Sequence, residues 1–260
     1  MGEEQISFKE RVCRTVSSLA GAYQRYYVDY DYLLCSAGFT NRPYYIVSAE
    51  KNNYQHLTGV SYSASADDFF DKCVNGTLTE ADISFSKGGR SEAEIKGSVR
   101  RKIKALPDMI GIFSSGCLVQ EDFSKNRIFC SFAAADMSCT VGFTVAASTK
   151  PMTLLNGNQL DAAKAKPLEL VLRRKRGEAK FDCIACGTVD DLVTYEAVLS
   201  GMLAEPLQSL IVEAKKASDD GGPDENYSDE INPDRNDLNG HDPKHELNSE
   251  ISEPTEQESD

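Results

Sequence analysis

His56, His241 and His245 are the three histidines of this 260-residue chain. Histidine is the side chain whose ordinary pKa places proton transfer near neutrality, so each is a candidate acid or base. The i, i+4 spacing of His241 and His245 suits a metal only on a stable helix. Gly240 and Pro243 oppose one there, which makes both solvated spectators. His56 stands in the polar segment EKNNYQHLTGV, near Lys51, Tyr54, Thr58 and Gly59. It reads either as an acid–base group or as a structural histidine that caps a turn. Two basic clusters accompany it: Arg100, Arg101, Lys102 and Lys104, and then Arg173, Arg174, Lys175, Arg176 and Lys180. Each is either a solvated face or a phosphate-binding one. RNA cleavage without a metal needs a group that takes the 2′-hydroxyl proton and one that protonates the leaving oxygen. It also needs cations or hydroxyls that hold the phosphorane charge. A histidine beside a basic hairpin has that composition. Cys183-Ile-Ala-Cys186 is a lone CxxC; on a strand its thiols fall on opposite faces, so it predicts neither a metal nor a redox centre.

The formal charge of −13 at first opposes a nucleic-acid partner. From Ser218 to Asp260, 15 acidic residues face only Arg235 and Lys244, so this segment carries the whole net charge. Residues 1–217 hold 26 charges of each sign and are neutral, which leaves room for a basic face. Eight scattered cysteines, most among apolar neighbours, read as reduced thiols of a cytoplasmic protein. The charged N-terminus lacks the apolar stretch of a signal peptide, and no run reaches the ~18 apolar residues of a membrane span. No cofactor is expected: there is no Gly-rich phosphate loop and no nucleophile elbow, which disfavours kinase, Rossmann and α/β-hydrolase classes.

Apolar spacing over Val12, Val16, Leu19, Tyr23, Tyr27 and Tyr30 predicts an amphipathic helix over about 5–27, with its tyrosines in the core rather than on a base-stacking platform. Two β-rich runs, 30–36 and 44–49, flank the turn GFTNRP and predict a hairpin. Ser65-Ala-Asp-Asp68 and Ser91-Glu-Ala-Glu94 are helix starts; Asn75-Gly76 stops the first helix and Pro107 the second. Alternating runs at 127–134 and 139–147 predict strands, and 168–173 with 181–187 a second hairpin around RKRGEAK. A last helix runs from Thr188 to about Lys216, kinked or split at Pro206. Beyond Ser218 almost nothing apolar remains, and a disordered tail is expected. It is read as a solubility appendage or as a polyanion that screens a basic cleft at low salt. The pattern is α+β: a single domain over 1–217, with N-terminal helices on a twisted antiparallel sheet and a closing helix, followed by the tail at 218–260.

With these residues in place, PYYIVSAEKNNYQHLTGV followed by DDFFDKCVNGTLTEADI resembles a phage-type nuclease family of the barnase–EndoU–colicin–RelE fold, its fourth phage-associated subfamily. KPMTLL and LELVLRRK echo the family's later elements, so the resemblance spans roughly residues 23–187. It implies a metal-independent ribonuclease of phages and mobile elements, a toxin acting on RNA, with a cognate inhibitor or antitoxin as a further partner. Carried over to matching positions, His56 would be the catalytic acid/base, Lys175 a phosphate-stabilising cation and Thr153 a hydroxyl donor to the phosphate. Lys51 and Thr58 join them as supporting residues, from their nearness to His56 in sequence. Two positions depart from the pattern: Thr153 stands where serine is expected and Phe181 where tyrosine is usual. The alternative class is a catalytically inactive module that binds RNA or a protein.

Overall fold

A computed structural model describes residues 6–219 apart from 87, 115 and 147. The chain divides into Met1–Gly221 and Gly222–Asp260, and the expected tail from residue 220 onward lies outside the described residues. The first helix, α1 (Phe8–Tyr23), starts at Ser7, whose hydroxyl accepts the Glu10 N–H. It buries Val12, Val16, Ala20 and Tyr23 along one stripe. A π-helical turn, Gln24–Val28, follows and keeps Tyr27 on the buried side. The Tyr23 ring stacks on Tyr27 at 5.2 Å and meets Tyr54 at 4.8 Å, while the Tyr27 hydroxyl donates to Met109 O at 2.6 Å. These tyrosines are core.

The predicted hairpin forms as β1 (Tyr30–Cys35) and β2 (Tyr45–Val47), paired antiparallel. Then comes α2 (Asn53–Thr58), a one-and-a-half-turn helix that the polar sequence EKNNYQHLTGV does not announce. A small two-stranded ribbon pairs β3 (Ser61–Tyr62) with β4 (Ile83–Ser84) around α3 (Ala66–Asn75), whose Ser65 cap and Gly76 stop are as expected. The capping box of Ser91 and Glu94 opens α4 (Glu92–Met109). Pro107 does not end this helix. It sits in the last turn, where losing one N–H costs a single hydrogen bond next to a terminus already short of partners.

The rest is mostly sheet: β5 (Leu118–Lys125), β6 (Ile128–Ala135), β7 (Cys139–Val145), β8 (Thr149–Asn156), β9 (Lys166–Pro167), β10 (Leu170–Lys175) and β11 (Cys183–Cys186). Helix α5 (Val189–Tyr195) and α6 (Glu205–Asp219) close the unit, and the break between them precedes Pro206 in the first turn of α6. Among the described residues, nine strands make one sheet in the order β11-β10-β1-β2-β8-β7-β6-β5-β9. The sheet is mixed rather than antiparallel throughout. Strand β2 meets β8 in parallel, through the single pair Val47↔Thr149. The chain leaves β2 into α2 and returns through α3, α4 and three strands before β8, which is the crossover a parallel pair requires.

Strand alternation sends β1 into two cores. Tyr32 and Leu34 face α1–α4, whereas Leu33 and Cys35 join Leu170, Leu172, Leu192 and Leu207 under α5 and α6. The cysteine motif on β11 departs from simple alternation. Cys186 pairs with Val171, Ile184 with Leu172 and Cys183 with Arg173, so a bulge at Ala185 brings both thiols to the same face. Arg173 donates to the Cys183 sulfur at 3.7 Å. Both cysteines are free thiols, and among the described residues no group of three His, Cys, Asp or Glu could hold a metal.

Candidate active site

Four constraints place His56. Leu57 and Tyr54 anchor α2 in the core, and the Tyr54 hydroxyl donates to Val16 O at 2.7 Å. At the entry to the helix, the Asn53 side chain accepts the Glu50 N–H at 2.8 Å. Lys150 of β8 binds the Glu50 carboxylate at 2.7 Å, and this ammonium holds the Glu50 pKa below the ordinary carboxylate range. At the exit, Gly59 takes the left-handed conformation (φ +72°) and its N–H returns to Gln55 O. With Tyr54, Leu57 and Thr58 buried, His56 is on the exposed side of the helix.

That side forms one wall of a cavity of about 500 Å³. Because β2 pairs with β8 only at Thr149, the edge of β8 beyond that residue is flanked by α2 and α4 instead of a strand. His56 and Thr153 therefore line the same cavity. Thr153 sits against Gly142 of β7, where a Cβ would come within 2.8 Å of the threonine methyl and 2.5 Å of the Cys130 sulfur. The third wall is α4, which presents Ile95, Ser98 and Lys102 at helical spacing, and Arg90 lies just ahead of that helix. Tyr62 and Ser61 complete the polar lining; the Tyr62 hydroxyl donates to Asp68, which raises the phenol pKa. Its described lining thus includes an imidazole, hydroxyls, an ammonium and a guanidinium.

The other expected site residues lie elsewhere. Lys51 pairs with Asp71 at 2.9 Å and stands over the Phe70 ring, tying α2 to α3. Thr58 is fully buried; its hydroxyl donates to Gln55 O at 2.8 Å and accepts the Val60 N–H, so it shapes the turn after α2. Lys175 ends β10 opposite Tyr30 and is exposed. From β8 to β10 the sheet steps through β2 and β1, and three strand spacings amount to about 14 Å. Lys175 thus stands on a strand three places removed from that of Thr153.

The basic hairpin that carries Lys175 is built around a buried carboxylate. Asp31 of β1 binds Arg176 at 2.8 Å and Arg174 at 3.3 Å, and accepts the Ser48 hydroxyl at 2.8 Å. Arg176 also donates to Ala49 O at 2.8 Å and Arg174 to Ala179 O at 2.8 Å, while the Arg174 guanidinium lies over Phe181. Two of the hairpin's cations are thereby committed to holding the chain. The hairpin's charge is visible in the sequence but its counter-charge is not, because Asp31 is some 140 residues away and sits in an otherwise apolar run. In sequence, Lys102 is one member of the charged cluster of Arg100, Arg101, Lys102 and Lys104. The i, i+3, i+7 spacing of Ile95, Ser98 and Lys102 was the available signal.

Residues 15–141 match the family described as phage-Barnase-EndoU-ColicinE5/D-RelE like nuclease4. No curated protein and no solved structure matches the chain. The matched segment begins in α1 and ends in β7, so it holds His56, Lys51, Thr58, Arg90 and Lys102 but neither Thr153 nor Lys175.

Proposed function

We propose that this chain, whose residues 15–141 match the phage-Barnase-EndoU-ColicinE5/D-RelE like nuclease family, is a metal-independent endoribonuclease with His56 as its acid–base group. One observation carries the reading: the single histidine of the described residues opens into the cavity that Thr153 and two basic side chains also line. In the reaction, His56 takes the 2′-hydroxyl proton of the substrate, and the 2′ oxygen forms a bond to phosphorus. The bond from phosphorus to the 5′ oxygen breaks, and that oxygen leaves with a proton. The products are a 2′,3′-cyclic phosphate and a 5′-hydroxyl end. Thr153 donates a hydrogen bond to the phosphate in the pentavalent state. Lys175, three strands from Thr153, serves a neighbouring phosphate of the same strand in this reading. The resemblance supports a phage- or mobile-element toxin acting in the cytoplasm and held by a cognate inhibitor.

The test is cleavage of RNA in EDTA with identification of the ends formed. His56→Ala should lower the rate by about 10²–10⁴-fold while the far-UV spectrum is retained. Undiminished cleavage by the folded variant removes the mechanism. A non-catalytic RNA-binding module is the second reading, and the position of Lys175 favours it over a compact His–Lys–Thr centre. Under that reading, wild type binds RNA and leaves it intact.

A further inference from the structure

We infer that the Tyr62 ring is the platform on which one unpaired base of a single-stranded RNA stacks inside the His56 cavity. The inference rests on the nuclease reading for its substrate, and deepens it by naming the strandedness that the cavity accepts. His56 and Tyr62 belong to one short stretch of chain: α2 ends at the left-handed Gly59, and β3 begins two residues later. Both residues line the same cavity of about 500 Å³, a size within the roughly 300–1,000 Å³ of small-molecule sites. Strand β3 is itself held in place, since Tyr62 pairs with Ile83 of β4 and the Ser61 hydroxyl donates to Ser86 O at 3.0 Å.

The ring has a fixed orientation. Its hydroxyl donates to the Asp68 carboxylate, and the ring meets the buried Phe69 edge-on, with centroids 5.5 Å apart. Lys72 Nζ lies 5.7 Å from the Tyr62 centroid and is itself bound to Asp82 at 2.7 Å. Asp68, Phe69 and Lys72 of α3 therefore hold Tyr62, yet the residue is only half-buried and lines the cavity. With the hydroxyl proton committed to Asp68, Tyr62 offers the cavity its aromatic surface rather than an acid or a phosphate donor. A ring already locked by its neighbours loses little conformational entropy when a base settles on it. The described lining adds Val60, Ile95 and Ile128, apolar neighbours for a flat base, while His56 and Thr153 are polar partners for sugar and phosphate. Stacking on an aromatic face tolerates any base, whereas a base in a duplex must first leave its own stack. The cavity therefore takes single-stranded RNA with little preference among the four bases, and spares the duplex.

The probe is adenosine 3′-monophosphate titrated into the whole protein in EDTA and read on its base protons by NMR. A single-stranded RNA oligonucleotide follows, alone and annealed to its complement. With wild type the base protons should move upfield, the ring-current signature of stacking. The single strand should bind tighter than the duplex by about tenfold or more. Tyr62→Leu keeps an apolar side chain on β3 without a ring, and should weaken binding of nucleotide and single strand by about tenfold or more. Tyr62→Phe, which keeps the ring, should restore most of that loss. An absent upfield shift in wild type overturns the inference without recourse to any variant. Undiminished single-strand binding by a folded Tyr62→Leu protein overturns it too, as does equal affinity for the duplex. Stacking that depends on Tyr62, with RNA left uncleaved, sinks the nuclease reading alone.

Discussion

The two basic regions have similar charge in sequence and different surroundings in the fold. On the β10 hairpin, Arg174 and Arg176 converge on Asp31, whose side chain is 7% exposed, and on backbone carbonyls. On α4, Lys102 donates to the carbonyl oxygen of His56 and lines a cavity with His56, Arg90 and Thr153. Where a buried carboxylate waits, cations are architecture, because leaving that carboxylate unpaired would cost several kcal/mol. A run of lysines and arginines therefore does not indicate function until its acidic partner has been located.

That comparison breaks first at Asp31. Replacing it by alanine leaves two half-buried guanidiniums without their acceptor, and the unfolding free energy should drop by about 3–5 kcal/mol in chemical denaturation. A loss below about 1 kcal/mol would mean that the hairpin's arginines are not structural after all. Gly59→Ala comes next, because it forces a left-handed residue to carry a Cβ beside Lys102. The strain should cost about 1–2 kcal/mol, and RNA affinity should fall along with stability. If affinity holds while stability falls, the cavity tolerates a displaced Lys102.

The smallest effect belongs to an ion pair outside both regions. Asp82 binds the Lys72 ammonium at 2.7 Å and accepts the Thr79 N–H and hydroxyl at 2.8 Å each, which holds its pKa down to about 2 from the ordinary 3.8. A carboxylate depressed by folding stabilises the native state above its unfolded pKa and loses that contribution as pH falls towards the folded one. The Tm advantage of wild type over Asp82→Asn should therefore be full above about pH 4 and shrink towards pH 2. A difference that stays constant through that range would show that the pair adds no pH-dependent stability.

Much of the framework was legible from local rules. The caps at Ser65, Ser91 and Thr188, the hairpin of 30–36 with 44–49, and the tyrosines at helical spacing all follow from side chains acting on their near neighbours. Local rules failed where distant segments met. Helix α2 has only six residues and depends on Leu57 and Tyr54 reaching a core assembled from other elements, so EKNNYQHLTGV shows in sequence only as a polar segment. The parallel contact of β2 with β8 leaves no trace in either strand's pattern. The bulge at Ala185 turned Cys183 and Cys186 to one face against simple alternation.

By itself the sequence determined the α+β class, the neutral charge of residues 1–217, the resemblance that the family match over residues 15–141 bears out, and the place of His56 as the one histidine outside the acidic segment. These are properties of composition, period and motif, which do not depend on what packs against what. Only the tertiary structure decided that Thr153 lines the cavity with His56, that Lys175 stands about three strands away, and that Arg174 and Arg176 are held by Asp31. It also decided that Lys102 crosses Gly59. Each of those outcomes joins residues dozens of positions apart. Their meeting is set by sheet order and helix docking, energies that no local segment contains.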